Sequence, residues 1–252
     1  MAKRAIGIDI GGTGIKGALV NVKDGTLIGE RVRFATPEGG KPEDIAAVVK
    51  KIVEQLHPGR LSLPVGICFP AVVKHGRTMS AANISKDWIG LDAETLFEKT
   101  LGKHVHMIND ADAAGVAEVK FGAAHKRKGL VFMCTLGTGI GTALFINGDL
   151  VPNAELGHLE IDGIDYESKA AFSAKEREDL SFADWAVRLQ KYFETVERLF
   201  SPDLIVIGGG VSKQHNEFIP LLKLSAEILP AAKRNNAGIL GAAALAYKNR
   251  ED

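Results

Sequence analysis

Cysteine is nearly missing from this chain: Cys68 and Cys134 are the only two in 252 residues, and each sits inside an apolar run. That excludes a disulfide framework, leaves too few thiols for a zinc site, and points to buried thiols in a reducing compartment. Net charge is missing too, because 31 basic and 31 acidic side chains cancel. Overall charge therefore gives no ground for binding nucleic acid or an anionic membrane, and any polyanion site has to be a local cluster of cations. No apolar run reaches membrane-spanning length, and Met1-Ala2-Lys3-Arg4 leads into a glycine-containing strand rather than a signal core. The expectation is a cytoplasmic protein with no membrane and no nucleic-acid partner. Hydrophobic residues make up 46% of the chain, enough at this length to bury the core of one large domain or of two modest lobes.

Glycine, by contrast, is plentiful and clustered. Ile6 to Gly17, reading I-G-I-D-I-G-G-T-G-I-K-G, runs into a second apolar stretch, Ala18 to Val22, and the pattern predicts a strand, a tight turn and a strand. Glycines 11, 12 and 14 allow positive φ and leave backbone N–H groups open to a phosphate, with Thr13 and Lys16 adding a hydroxyl and a positive charge. Asp9 faces the same turn, where a carboxylate can hold a hydrated Mg²⁺. A glycine-rich hairpin with no ligand fits the same residues. Gly12 to Leu19 then returns as Gly137 to Leu144, matching at six of eight positions half a chain later, Gly137-Thr138-Gly139 standing for Gly12-Thr13-Gly14. Two related lobes, each with a glycine hairpin, suit phosphoryl transfer.

The rest of the chain reads as α/β. Leu27 to Phe34 predicts a third strand, and Pro42 opens a helix whose Ile45, Val48, Val49, Ile52, Val53 and Leu56 form one apolar stripe. Strand signals follow at Leu63 to Val73, broken by Pro70, at Val105 to Ile108 and at Leu204 to Ile207. Helices are expected from Asp92, as N-cap, to Leu101, from Asp110 to about Phe121, and over most of Tyr166 to Phe200. Phe182, Trp185, Ala186, Leu189, Tyr192, Phe193, Val196 and Phe200 form an apolar face of that last region, read as core. An alanine-rich helix, Gly238 to Tyr247, is expected to pack on the first lobe.

Polar groups gather at three further places. Asn109-Asp110-Ala111-Asp112 stands between a strand end and a helix start, where open α/β sheets bind ligands; Asp110 or Asp112 is an N-cap or a base accepting a hydroxyl proton. Asn153 to Asp162 packs three acids and His158 into ten residues, a composition open to a metal, to a polyol's paired hydroxyls, or to a solvated loop. Gly208-Gly209-Gly210-Val211-Ser212 is either a surface for a flat group such as adenine or a plain turn.

Taken with Asp9 to Gly17, Asn109-Asp110, Leu136 to Gly141, Glu155 to His158 and Gly208 to Ser212 in that order and spacing, the chain resembles the ROK family of sugar kinases over nearly its whole length. The stretches S-A-A-N-I-S-K-D-W from Ser80 and N-A-E-L-G-H-L-E-I-D-G from Asn153 carry a closer likeness to the members that use polyphosphate to phosphorylate glucose or mannose. The resemblance implies a two-lobed actin-like ATPase, or ribonuclease H-like, fold with a ligand cleft between the lobes. Residues 1–109 with 237–252 would form the small N-terminal lobe and 110–236 the large C-terminal one.

It implies roles too. Asp110 is the base for the sugar 6-hydroxyl, and Asn83, Asn109, Glu155, His158 and Glu167 hold the sugar. Asp9, through water, with Gly11, Gly12, Thr13, Gly14, Lys16, Gly137, Thr138 and Gly139, forms the magnesium and phosphate site. Gly209 and Gly210 rest a nucleoside. A cysteine-rich zinc motif that the family carries after His158 is absent, so no structural zinc is expected; Ala71 stands where many relatives have glycine. Glucose is the expected acceptor, with mannose left open, and polyphosphate the expected donor, with ATP as a second. Lys126-Arg127-Lys128 is the best local cation cluster for a long polyphosphate, with Lys175, Arg177, Arg188 and Lys191 weaker, and a solvated loop fits the first run equally. Family likeness suggests a homodimer. The alternatives are an ATP glucokinase or a sugar-sensing regulator, whose DNA-binding helices would have to precede Ile6, where only five residues stand.

Overall fold

A computed structural model describes residues 3–57, 63–81 and 84–250. The chain divides into two compact units, Met1–Ala117 with Asn236–Asp252, and Glu118–Asn235.

The first unit begins with an antiparallel meander, β1 (Arg4–Ile10), β2 (Gly14–Asn21) and β3 (Thr26–Ala35). Helix α1 (Pro42–Leu56) carries the chain to β4 (Val65–Phe69), parallel to β1. A short hairpin, β5 (Val73–Lys74) and β6 (Arg77–Thr78), precedes α2 (Ala93–Leu101), and β7 (Val105–Asn109) then lies parallel to β4. Strand order is β3-β2-β1-β4-β7. All five residues of β4 are buried, the pattern of a strand covered on both faces. One face receives α1 through Ile45, Val49, Ile52 and Val53. On the other lies the C-terminal helix, Ala237–Lys248. It lies so close that a Cβ added at Gly66 would stand 2.0 Å from the carbonyl oxygen of Ala242, which explains both the glycines of the sheet and the alanines of the helix. Asp92 caps α2 by accepting from Thr95 N, as its position predicts.

Helix α3 (Asp110–Phe121) leaves β7 directly, and the division between units falls within it, after Ala117. The second unit repeats the meander as β8 (Leu130–Leu136), β9 (Ile140–Ile146) and β10 (Asp149–Val151). A two-residue ladder, β11 (Glu160–Ile161) with β12 (Ile164–Asp165), leads into α4 (Glu167–Ala170), α5 (Phe172–Arg177) and α6 (Phe182–Phe200). The chain closes with β13 (Leu204–Gly208), parallel to β8, and β14 (Glu227–Pro230), parallel to β13, giving the order β10-β9-β8-β13-β14. Trp185, Ala186, Leu189, Tyr192, Phe193 and Val196 of α6 are buried as the stripe predicts, while Phe182 and Phe200 pack only partly buried at its ends. Strands β10 to β12 and β14 carry no sequence pattern long enough to announce them.

Candidate active site

In the first unit β1, β4 and β7 run parallel, so their C-terminal ends bring Asp9, Cys68 and Asn109-Asp110 to one edge of the sheet. Ligands of open α/β sheets bind at such an edge. Asp9 Oδ2 lies 3.4 Å from Lys16 Nζ, and the Cys68 thiol donates to Asp9 Oδ1 at 3.5 Å. Burial pushes the Cys68 thiol well above its usual range, and the negative charges of Asp9 and Asp110 push it further. It therefore stays a thiol and a donor. The Asp9 side chain keeps 21% of its surface exposed. A lone carboxylate of this kind suits a divalent ion held through water, not a closed protein cage. Among the described residues no group of three or more His, Cys, Asp or Glu is arranged to hold a metal ion.

The β1–β2 turn is closed by Gly11 N donating to Gly14 O at 3.1 Å and fastened by Thr36 Oγ1 donating to Gly11 O. Gly12 and Thr13 are exposed. An open pocket beside Gly12 is lined by Thr36 to Gly40 and Ile84 to Lys86. Gly11, Gly12 and Gly14 allow positive φ but none adopts it, and neither do Gly137 and Gly139. What two of these glycines provide is room for a neighbour. A Cβ at Gly14 would lie 2.9 Å from Arg33 Nε, and one at Gly139 would lie 2.5 Å from Glu167 Oε2.

The cap of α3 is neither aspartate proposed for it. Asn109 Oδ1 accepts from the backbone N–H of Ala111 at 2.8 Å and of Asp112 at 3.1 Å, while its Nδ2 donates to Ala71 O at 3.1 Å. An amide so engaged has one N–H left to offer. Asp112 is buried, whereas Asp110 is exposed at the start of the helix, with Oδ1 accepting from Ala111 N. The locked turn thus leaves Asp110 as the carboxylate presented outward. Asn83 lies outside the described residues.

In the second unit the β8–β9 turn, Gly137 to Gly139, rests on the start of α5. Ser173 N donates to Gly137 O at 3.0 Å and Ser173 Oγ to Thr138 O at 2.6 Å. Glu167 Oε2 accepts from Ile140 N at 2.7 Å, so a residue assigned to the sugar also braces the hairpin. The loop of Glu155 and His158 is tied to β9 through Thr142, whose hydroxyl donates to Ala154 O and accepts from Leu156 N. Tyr192 OH adds a bond to Leu156 O at 3.0 Å. His158 Nδ1 faces Asp165 Oδ2 at 2.8 Å. That hydrogen bond raises the imidazole above its ordinary range against partial burial, helped by the charges of Glu167, Asp165 and Glu155. Glu155 is exposed at its surface yet enclosed enough for desolvation to raise its carboxyl; Glu167 adds to the rise and His158 opposes it. Gly209, at φ 84°, does adopt the left-handed region, and its backbone passes so near Leu136 that a Cβ would lie 2.2 Å from that carbonyl oxygen. Gly210 beside it faces open space.

The basic run Lys126-Arg127-Lys128 is displaced from this machinery. It precedes the first residue of β8, whereas the glycine turn follows the last, and seven residues of strand separate the two by about 20 Å. Arg127 is also paired with Glu227 at 2.8 Å. Arg177 and Arg188 face Glu178, and Lys191 faces Asp162. Thr142, Asp165, Ser173 and Arg33 were not singled out by sequence, and Cys68 was read only as a buried thiol. They act through contacts between distant segments, and only the duplicated hairpin hinted at any of them.

Two glycine hairpins on matching five-stranded sheets are the marks of the two-lobed actin-like ATPase fold, and this is the fold of the ROK sugar kinases that the chain matches. The ROK family model matches residues 5–179, and the chain belongs to that family. It is 43% identical over 242 residues to the polyphosphate glucokinase of Mycobacterium tuberculosis, covering 96% of this chain and 90% of that one. The crystal structure of inorganic polyphosphate/ATP-glucomannokinase from Arthrobacter sp. strain KM is similar at a TM-score of 0.91 and 50% identity, over 98% of this chain and 99% of the other. A ROK family glucokinase from Streptomyces griseus, in complex with glucose and AMPPNP, is similar at a TM-score of 0.82 and 26% identity, over 98% and 100%.

Proposed function

We propose that this protein phosphorylates glucose at the 6-hydroxyl with inorganic polyphosphate as donor, and that Asp110 is the general base. The observation that carries the reading is the outward-facing Asp110 on a turn locked by Asn109, in a chain 50% identical to a polyphosphate/ATP-glucomannokinase. Asp110 takes the proton of the attacking hydroxyl as the sugar oxygen bonds to the terminal phosphorus and the phosphoanhydride bond breaks, leaving polyphosphate one unit shorter. Glu155, His158 and Glu167, with Asn83 and the remaining amide hydrogen of Asn109, hold the sugar hydroxyls. Thr13, Lys16 and the N–H groups of the Gly11–Gly14 and Gly137–Gly139 turns hold donor phosphates. Asp9 would hold a magnesium ion through water, and the ion would supply charge neutralisation for the phosphoryl groups. No zinc takes part in this reading. Mannose as a second acceptor, a homodimer and a cytoplasmic location are part of it, the last supported by two buried free thiols. No described helix is long and apolar enough to cross a membrane, and no membrane or nucleic-acid partner is invoked.

One feature favours a second donor. The Gly209–Gly210 turn next to Leu136 is open for a nucleoside, and the similar glucokinase was crystallised with AMPPNP. ATP is accordingly an additional donor. Glucose 6-phosphate formation with polyphosphate and with ATP, assayed side by side, tests both. Product from ATP alone would leave an ATP glucokinase, and product from neither would favour a sugar-sensing regulator.

A further inference from the structure

We propose that Arg33, extended by Arg31, is a binding site for the donor's phosphoryl groups beyond those held at the first hairpin, so that β3 carries a linear polyphosphate away from the reacting end. This inference rests on the polyphosphate reading above. Directly paired residues on neighbouring strands project to the same face. Asp9 pairs with Lys16, and Lys16 pairs with Arg33, which sets the carboxylate, the ammonium and the guanidinium in one row across three strands. The Arg33 guanidinium lies over Gly14, close enough that a Cβ there would stand 2.9 Å from Nε and 3.0 Å from Nη2. The bare glycine is what lets a cation lie against the phosphate turn. Arg31, in the irregular stretch of β3 between Ile28 and Val32, reaches Asn236 Oδ1 at 3.2 Å, carrying positive charge towards the start of the C-terminal helix.

Four of the other candidate cations argue by contrast. Arg127, Arg177, Arg188 and Lys191 each face a carboxylate. Among the described residues Arg33 is exposed and takes part in no ion pair. Its charge remains available, and a planar guanidinium is suited to bidentate phosphate contacts. In a chain of zero net charge, a polyanion has to find such a local row.

The test uses the full chain with Arg33→Gln and the double change Arg33→Gln/Arg31→Gln, both on an exposed strand. Initial rates are measured with long-chain polyphosphate, tripolyphosphate and ATP at saturating glucose. The KM for long-chain polyphosphate should rise about tenfold in Arg33→Gln, the effect of removing one charge-assisted hydrogen bond, and further in the double variant. The rise should shrink with tripolyphosphate and ATP, and glucose KM should not move. The slope of log affinity for long-chain polyphosphate against log salt should become shallower by about 0.7 for each cation neutralised. An unchanged polyphosphate KM, or an equal rise for all three donors, overturns the proposal and leaves the kinase reading standing. If polyphosphate is no donor even for the unaltered protein, that reading falls. Equilibrium binding of end-labelled polyphosphate then decides this one: weaker binding by Arg33→Gln supports it, and equal binding overturns it.

Discussion

Asp165 joins two residues proposed to hold the sugar: its Oδ2 lies 2.8 Å from His158 Nδ1, and its Oδ1 accepts the backbone N–H of Glu167 at 3.2 Å. The first bond raises the His158 pKa above its ordinary value. A raised imidazole pKa means the contact contributes to stability below the unfolded value, about 6.5, and that contribution is lost as pH rises through the folded value. Both side chains are about half exposed, 54% and 51%, so solvent keeps the contribution small. Asp165→Asn should return the His158 pKa towards about 6.5 in an NMR titration and raise the KM for glucose, since the ring loses its fixed orientation. A His158 titration unaltered by the substitution would remove Asp165 from this role.

Asp110→Asn separates binding from chemistry. The amide keeps the size of the carboxylate, and its oxygen can still accept from Ala111 N, but it cannot take a proton. Turnover should fall by about 10² to 10⁴, while glucose affinity measured by calorimetry stays within a few fold. Turnover near that of the unaltered enzyme would rule Asp110 out as the base.

Much of the fold was legible because it rests on local patterns. The glycine hairpins, the α1 stripe, the α6 face and the capped α2 are all written in residue spacing. The copied hairpin also showed where to look for differences, at Lys16 against Gly141 and Gly17 against Thr142. Lys16 faces Asp9, while Thr142 ties the loop of Glu155 and His158 to its strand. Thr142's partners, Ala154 and Leu156, are a dozen or more residues away, so no window of sequence contains the reason for it. The same holds for Asn109, read as a sugar ligand and found also to lock its own turn through Ala71. Lys126 to Lys128 stand at the opposite end of β8 from the glycine turn, a separation that nearness in sequence to β8 does not reveal.

The close seat of the C-terminal helix makes Gly66 intolerant of any side chain. Gly66→Ala would bring a methyl to 2.0 Å from the Ala242 carbonyl oxygen, a backbone atom that cannot rotate away. Overpacking of this kind destabilises by about 1–3 kcal/mol or more. Urea unfolding should show a lower midpoint with little change in slope. A midpoint equal to that of the unaltered chain would mean that the helix lies farther from β4 than it does here.

Trp88 ties the turn that starts at Ser85 to the core of the first unit. Its ring is fully buried, with centroids 4.5 Å from Phe69 and 5.9 Å from Phe97, and its Nε1 donates to Gly40 O at 2.8 Å. The Trp88 carbonyl accepts from the buried Thr78 hydroxyl. The residue therefore pins the turn that starts at Ser85 both to the core and to the loop bordering Gly12. Trp88→Phe keeps an aromatic ring but removes the donor, leaving the Gly40 carbonyl without its partner, and it also leaves a void beside Phe97. An unmet buried acceptor costs about 1–3 kcal/mol, and the void adds to that. Stability should fall by this order, and the KM for glucose should rise by a larger factor than kcat falls, because the change loosens the turn from Ser85 and the loop at Gly40 and leaves Asp110 alone. Unfolding curves and glucose saturation curves on the same preparation check both halves. A destabilised variant with an unaltered glucose KM would show that the turn from Ser85 has no part in holding the sugar.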